Sequence, residues 1–206
     1  MVKTGAQTAI STGVQTVRRT SLCAALATLA LLASPAWAAF DLATLAGLLA
    51  QKKTAETRFT EERFVSGIDG PLRASGTLSF TAPDRFARHT LEPRPESMEV
   101  VGNTVTLKRG PRVRQMAVDA VPELTALIEA MRGTLNGDSA TLQKHFKTRV
   151  DGSAALWTLT LTPLDSRLAT QVRELKIAGQ GSDLRSIELW LAGGDRSLML
   201  IEAPPR

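Results

Sequence analysis

Two hydrophobic periods alternate along the chain. Leu42, Leu45, Leu48 and Leu49 recur at helical spacing behind Asp41 and run up to Lys52-Lys53. They predict a short amphipathic helix, N-capped by Asp41, with basic residues at the end the macrodipole favours. Beyond it the period falls to two. Leu72, Ala74, Gly76, Leu78 and Phe80 alternate with Arg73, Ser75, Thr77 and Ser79, the pattern of a half-buried strand with one wet face. Thr57 to Phe59 and the later Phe64 point to another strand just before it. The two Phe differ in parity, so a bulge or turn is expected near Glu61-Glu62.

Short strands separated by turn residues follow: Arg85 to Leu91, Ser97 to Val101, Thr104 to Arg109 and Arg112 to Val118. Gly102-Asn103 and Gly110-Pro111 sit between them as hairpin turns. The pattern then turns helical. Pro122 suits a first helical position, Leu124, Leu127, Ile128 and Met131 follow at i, i+3, i+4 and i+7, and Gly133 is the expected stop. Asp138 caps a second short helix carrying Leu142 and Phe146. Strands resume at Thr148 to Val150, Leu156 to Leu161, Val172 to Ile177, Leu184 to Leu191 and Ser197 to Ile201. About ten strands and three short helices with hairpin-length links predict a strongly curved antiparallel sheet, an unclosed β-barrel with helices against one face.

The N-terminus does not belong to this pattern. Lys3, Arg18 and Arg19 precede an apolar run from Ser21 to Ala33, followed by Pro35 and the small-x-small triplet Ala36-Trp37-Ala38. That order is a secretory signal peptide, cleaved near Ala38. The run is too short to span a hydrocarbon core of roughly 30 Å. The expected organisation is therefore a leader at 1–38 and one domain at 39–206, located in the periplasm. The whole chain has 25 basic and 20 acidic residues, a net charge of +5. Removing the leader takes three basic residues and leaves 22 against 20, without the dense basic stripe of a nucleic-acid binder. It also removes Cys23, the single cysteine, which suits an oxidising compartment.

Candidate chemistry is sparse. With one Cys and two His, His89 and His145, a zinc site of four Cys/His ligands is excluded. Gly137-Asp138-Ser139 matches the start of one esterase block, but no Asp–His pair follows to activate the hydroxyl, and Asp138 reads better as a helix cap. Glu61 and Glu62 are neighbours on a strand and point to opposite faces, so they read as solvated charge. No metal, cofactor or catalytic residue is expected, and the protein is read as a binder and not an enzyme.

Four segments carry a resemblance in their order. Phe59-Thr60-Glu61, Gly76-Thr77-Leu78-Ser79-Phe80, Pro83-Asp84-Arg85-Phe86 and Glu96-Ser97-Met98-Glu99-Val100, before Gly102-Asn103 and Gly110-Pro111, resemble the periplasmic outer-membrane lipoprotein carriers of the LolA type over nearly the whole chain after Ala38. The resemblance implies an unclosed barrel with helices as a lid over an apolar cavity. It implies acylated cargo, a lipoprotein or another lipid-linked molecule, taken from an inner-membrane transporter and given to an outer-membrane receptor by a monomeric carrier. The implied cavity lining is Leu78, Phe80, Phe86, Met98, Val100, Leu107, Met116 and Trp157 on the sheet, with Leu124, Leu127, Ile128 and Met131 on the lid. The rival reading of the same residues is plain core, since sheet-facing apolar residues must pack somewhere. The carriers place an Arg before the Pro of the Pro-x-x-Phe turn; here that position is Ala82, with Arg85 and Arg88 the basic residues nearby. A sensor module of the same architecture, which binds a signalling protein and carries nothing, is the alternative function.

Overall fold

The computed structural model describes residues 40–120 and 122–203, with 122–124 described by their backbone. The leader expected at 1–38 lies outside the described residues. The chain enters through α1 (Leu42–Leu49) and then runs β1 (Thr54–Phe64), β2 (Leu72–Thr81), β3 (Arg85–Glu92), β4 (Glu96–Val101), β5 (Thr104–Arg109) and β6 (Arg112–Ala117). A single 3-10 turn at Val118–Ala120 leads into α2 (Pro122–Asn136) and α3 (Ser139–His145). Then come β7 (Phe146–Ser153), β8 (Leu156–Pro163), α4 (Ser166–Ala169), β9 (Val172–Gln180), β10 (Asp183–Leu191) and β11 (Arg196–Ile201).

All eleven strands form one antiparallel sheet in the order β6-β5-β4-β3-β2-β1-β11-β10-β9-β8-β7. Two meanders, β1 to β6 and β7 to β11, are joined where the first strand pairs with the last, Phe59 opposite Ile201 and Phe64 opposite Arg196. The sheet is curved and does not close, because β6 and β7 are its two edges. The connection between those edges carries α2 and α3, so the longest helix is delivered to the concave face. The expected unclosed barrel with helices is what the chain forms, with one strand and one helix more among the described residues than the sequence pattern suggests.

Two local readings are corrected. β1 runs without a break through Glu61-Glu62, in continuous register with both β2 and β11. Phe64 is on the outer face by design: it is part-exposed, and the Arg196 guanidinium lies over its ring at 4.8 Å, a cation–π contact that gives an outward aromatic a partner. α2 does not stop at Gly133 either, but at Gly137. There φ is +68°, a conformation that costs little only without a Cβ, and a Cβ would meet the Ala46 carbonyl oxygen of α1 at 2.0 Å.

α1 and α3 begin on side-chain caps. Asp41 accepts from the Thr44 amide and hydroxyl, both at 2.8 Å, and Asp138 accepts from the Thr141 amide at 3.0 Å and hydroxyl at 2.6 Å. The Thr44 amide foremost holds the Asp41 carboxyl below its ordinary range, and the Thr141 hydroxyl foremost does the same for Asp138. A carboxyl whose folded-state pKa is depressed stabilises the fold at neutral pH, and that contribution is lost as pH falls through the lowered values. Urea midpoints should therefore fall on acidification, and fall less steeply in the Asp41→Asn/Asp138→Asn variant. Equal slopes would show that the caps contribute nothing to acid sensitivity.

Candidate functional site

The concave face of the sheet is not uniformly filled. One packed cluster gathers Leu45 and Leu49 of α1, Ala126 and Ala130 of α2 and the inward residues of β8 and β9, including Trp157, Leu159, Leu161, Leu175 and Ile177. A second gathers Phe80, Phe86, Val100 and Val105 of β2 to β5 with Val118 and Ile128. Leu127 and Met131 of α2 remain partly buried. Between the helices and the sheet lies a cavity of about 710 Å³, lined by members of both clusters. That is within the range of pockets that enclose whole organic ligands, roughly 300–1,000 Å³.

The residues expected to line a cavity divide in two. Leu78, Phe80, Phe86, Met98, Leu127 and Met131 are on its wall. Val100, Leu107, Met116, Ile128 and Trp157 are not; they are part of the two packed clusters. Trp157 shows why. Its ring packs against Gly179, where a Cβ would come within 2.2 Å of Cζ2, and its Nε1 donates to the Gly181 carbonyl at 2.8 Å. A ring so placed is fixed in the core. The side chain of Leu124 lies outside the described residues. The wall also takes residues the sequence reading passed over, among them Leu49, Ala55, Ile187, Leu189 and Met199.

A charged group sits on this apolar wall. Strand alternation places Glu61 on the same face as Phe59, the concave one. Its side chain is 7% exposed and takes an ion pair from Arg88, a hydrogen bond from the Ser197 hydroxyl and a longer contact from Arg63 at 3.4 Å. Arg88 in turn lies over the Phe59 ring at 4.8 Å. Of the two basic residues near Ala82, then, Arg88 faces the cavity, while Arg85 is exposed and pairs with Glu99 at 3.3 Å. Lys52 and Asp183, also on the wall, pair with each other. Glu61 is the residue that sequence reasoning missed: its partner Ser197 is 136 positions away, but its parity with Phe59 was a visible signal.

The helix above the cavity is tied down by polar contacts. Arg132 of α2 donates to the Gly102 carbonyl in the β4–β5 turn and pairs with Glu129 at 2.7 Å. Asn136 donates to the Pro83 carbonyl in the β2–β3 turn at 2.6 Å. These ties add to the packing of Ala126, Ala130 and Ile128, which anchor α2 in the two clusters. Among the described residues no three His, Cys, Asp or Glu side chains gather as metal ligands, and no helix is long and apolar enough to cross a membrane.

A family model described as "Outer membrane lipoprotein carrier protein LolA-like" matches residues 33–203. No curated protein sequence matches the chain. Among solved structures, a LolA superfamily protein from Nitrosomonas europaea is similar at 9% identity, covering 79% of this chain and 90% of that one with a TM-score of 0.42. An outer membrane lipoprotein-sorting protein domain from Vibrio parahaemolyticus is similar at 9% identity, 79% and 89% coverage and a TM-score of 0.40. LprF from Mycobacterium bovis is similar at 10% identity, 80% and 94% coverage and a TM-score of 0.34.

Proposed function

The chain belongs to the LolA-like outer membrane lipoprotein carrier family, and on that basis we propose that it is a periplasmic carrier that shields acyl chains in transit from inner to outer membrane. The cargo is a lipoprotein or another lipid-linked molecule, received from an inner-membrane transporter and yielded to an outer-membrane receptor after the leader at 1–38 is removed. The supporting observation is the apolar cavity of about 710 Å³ between helices and sheet. Exposing an acyl chain to water costs about 0.8 kcal/mol per CH₂, so crossing an aqueous space requires a sheath. The sheath must also release its load, which requires the partly buried Leu127 and Met131 of α2 to move off the cavity.

Binding of a fluorescent triacylated peptide tests the carrier function directly. Saturable binding is expected. A protein folded by circular dichroism that binds no acylated probe would overturn it. Leu127 sits on the inner side of α2, partly buried and on the cavity wall. Leu127→Glu should weaken loading, because a carboxylate there meets apolar surface unpaired. Normal loading by a stable Leu127→Glu protein would remove α2 from the binding surface.

A further inference from the structure

The hairpin at one free edge of the sheet is basic. From Thr104 to Ala117, β5 and β6 carry Lys108, Arg109, Arg112 and Arg114 and no acidic residue. Arg109 is held by Glu96 of β4, and Glu99, the other carboxylate of that strand, pairs with Arg85. Among the described residues no carboxylate pairs with Lys108, Arg112 or Arg114, and all three are exposed. The backbone of β6 is an edge as well. Among the described residues only β5 pairs with it, in continuous register from Arg109 opposite Arg112 to Thr104 opposite Ala117. The Val118 amide just beyond donates to the Asn103 carbonyl at 2.9 Å. Alternation along an antiparallel strand therefore turns the amides and carbonyls of Arg112, Arg114 and Met116 toward β5, and those of Val113, Gln115 and Ala117 outward. β6 contains neither a proline nor a bulge, two devices that close an edge.

Outward amides and carbonyls, with arginines at every second position, match an extended chain whose acidic residues have the same spacing. Laid antiparallel on β6, such a chain sets carboxylates opposite Arg112 and Arg114, with Cβ atoms about 5 Å from theirs. A second copy of this chain does not match. Its β6 would bring Arg against Arg, and its other edge, β7, offers Lys147 and Arg149, with Asp151 already paired to Arg149 at 3.2 Å. We propose that β6 is a docking edge for an extended acidic segment of a partner protein, which adds to the sheet as one more antiparallel strand. Arg114 pairs with Leu107, and Leu107 with Met98 of the cavity wall. At about 4.8 Å per strand, the added strand lies roughly 14 Å from Met98 along the sheet, so a partner docked there stands beside the cavity. The docking edge does not depend on what the cavity holds.

The experiment is binding of a short fluorescein-labelled peptide that alternates glutamate with threonine. Saturable binding is expected, weakened about tenfold or more by Arg112→Glu/Arg114→Glu. With glutamates opposite the two arginines, the threonines lie opposite Val113 and Gln115, and their amides face β6. N-methylating the threonine amides should therefore abolish binding to the unsubstituted protein, whereas N-methylating the glutamate amides, which face away, should be tolerated. Both modified peptides keep every charge. A peptide that binds equally well with its threonine amides methylated is held by charge alone and overturns strand addition, and so does a glutamate peptide that does not bind. Two further results overturn the proposal by naming another occupant. One is binding to phosphatidylglycerol vesicles, in place of the peptide, that Arg112→Glu/Arg114→Glu removes. The other is a dimer in sedimentation that the same variant dissociates. Loading of the triacylated peptide should be unchanged in that variant, so failure of the docking edge and failure of the carrier function are read separately.

Discussion

Arg88→Met is expected to lower folding stability by about 3 kcal/mol, the low end of the cost of removing one member of a buried ion pair. The Glu61 carboxylate is 7% exposed. Once Arg88 is gone it stays buried with weaker support, the Ser197 hydroxyl and an Arg63 guanidinium 3.4 Å away. Those remaining contacts keep the cost from reaching the upper end. The cation–π contact of Arg88 over Phe59 at 4.8 Å is lost as well, a smaller effect of about 0.5–1 kcal/mol at most. Glu61→Met/Arg88→Met should regain most of the loss, because two apolar side chains on an apolar wall need no partner. Urea midpoints for the two single variants and the double variant measure the coupling. A double variant no more stable than Arg88→Met would mean that the pair is not an energetic unit.

Glu61 also shows where the sequence stops being readable. Paired acidic residues on a strand look like solvent-facing charge, and Glu62 is such a residue, bonded to the exposed Arg73 at 3.0 Å. Glu61 has the opposite parity, and what makes its burial tolerable comes from β3 and β11. No local pattern announces that. Gly133 and Gly137 are a second case. Both fall where a helix could end, but the first is needed for packing: a Cβ at Gly133 would meet Leu142 of α3 at 2.8 Å. The second, at φ +68°, is needed for backbone shape. Composition cannot separate these uses of a missing side chain. The strands were legible because alternation is a property of each strand alone. Phe64 misled because its ring is satisfied by Arg196, far along the chain. Alternation also names inward residues without saying whether they meet other side chains or empty space. Val100 and Leu78 read alike, yet one is in a packed cluster and the other on the cavity wall.

That difference can be made into a measurement. Ala55 on β1 and Met131 on α2 reach the cavity from sheet and helix respectively. Ala55→Phe/Met131→Phe should reduce binding of the triacylated peptide by about tenfold or more. Its thermal stability should be equal or higher, because each added ring moves apolar area out of water at about 25 cal/mol per Å² into space no side chain occupies. Val100 is the control. It is fully buried in the cluster of Phe80, Phe86 and Val105, where an inserted ring forces neighbours off their rotamers at a cost of about 1–3 kcal/mol. Val100→Phe should therefore lose stability, and any effect on loading should follow that loss. The contrast separates a filled interior from an empty one without a bound ligand in view. If the double Phe variant were destabilised as much as Val100→Phe, the space beneath α2 would be closed by the protein's own side chains in solution. An acyl chain would then have to displace packed residues to enter, and the carrier function proposed from an open cavity would fall.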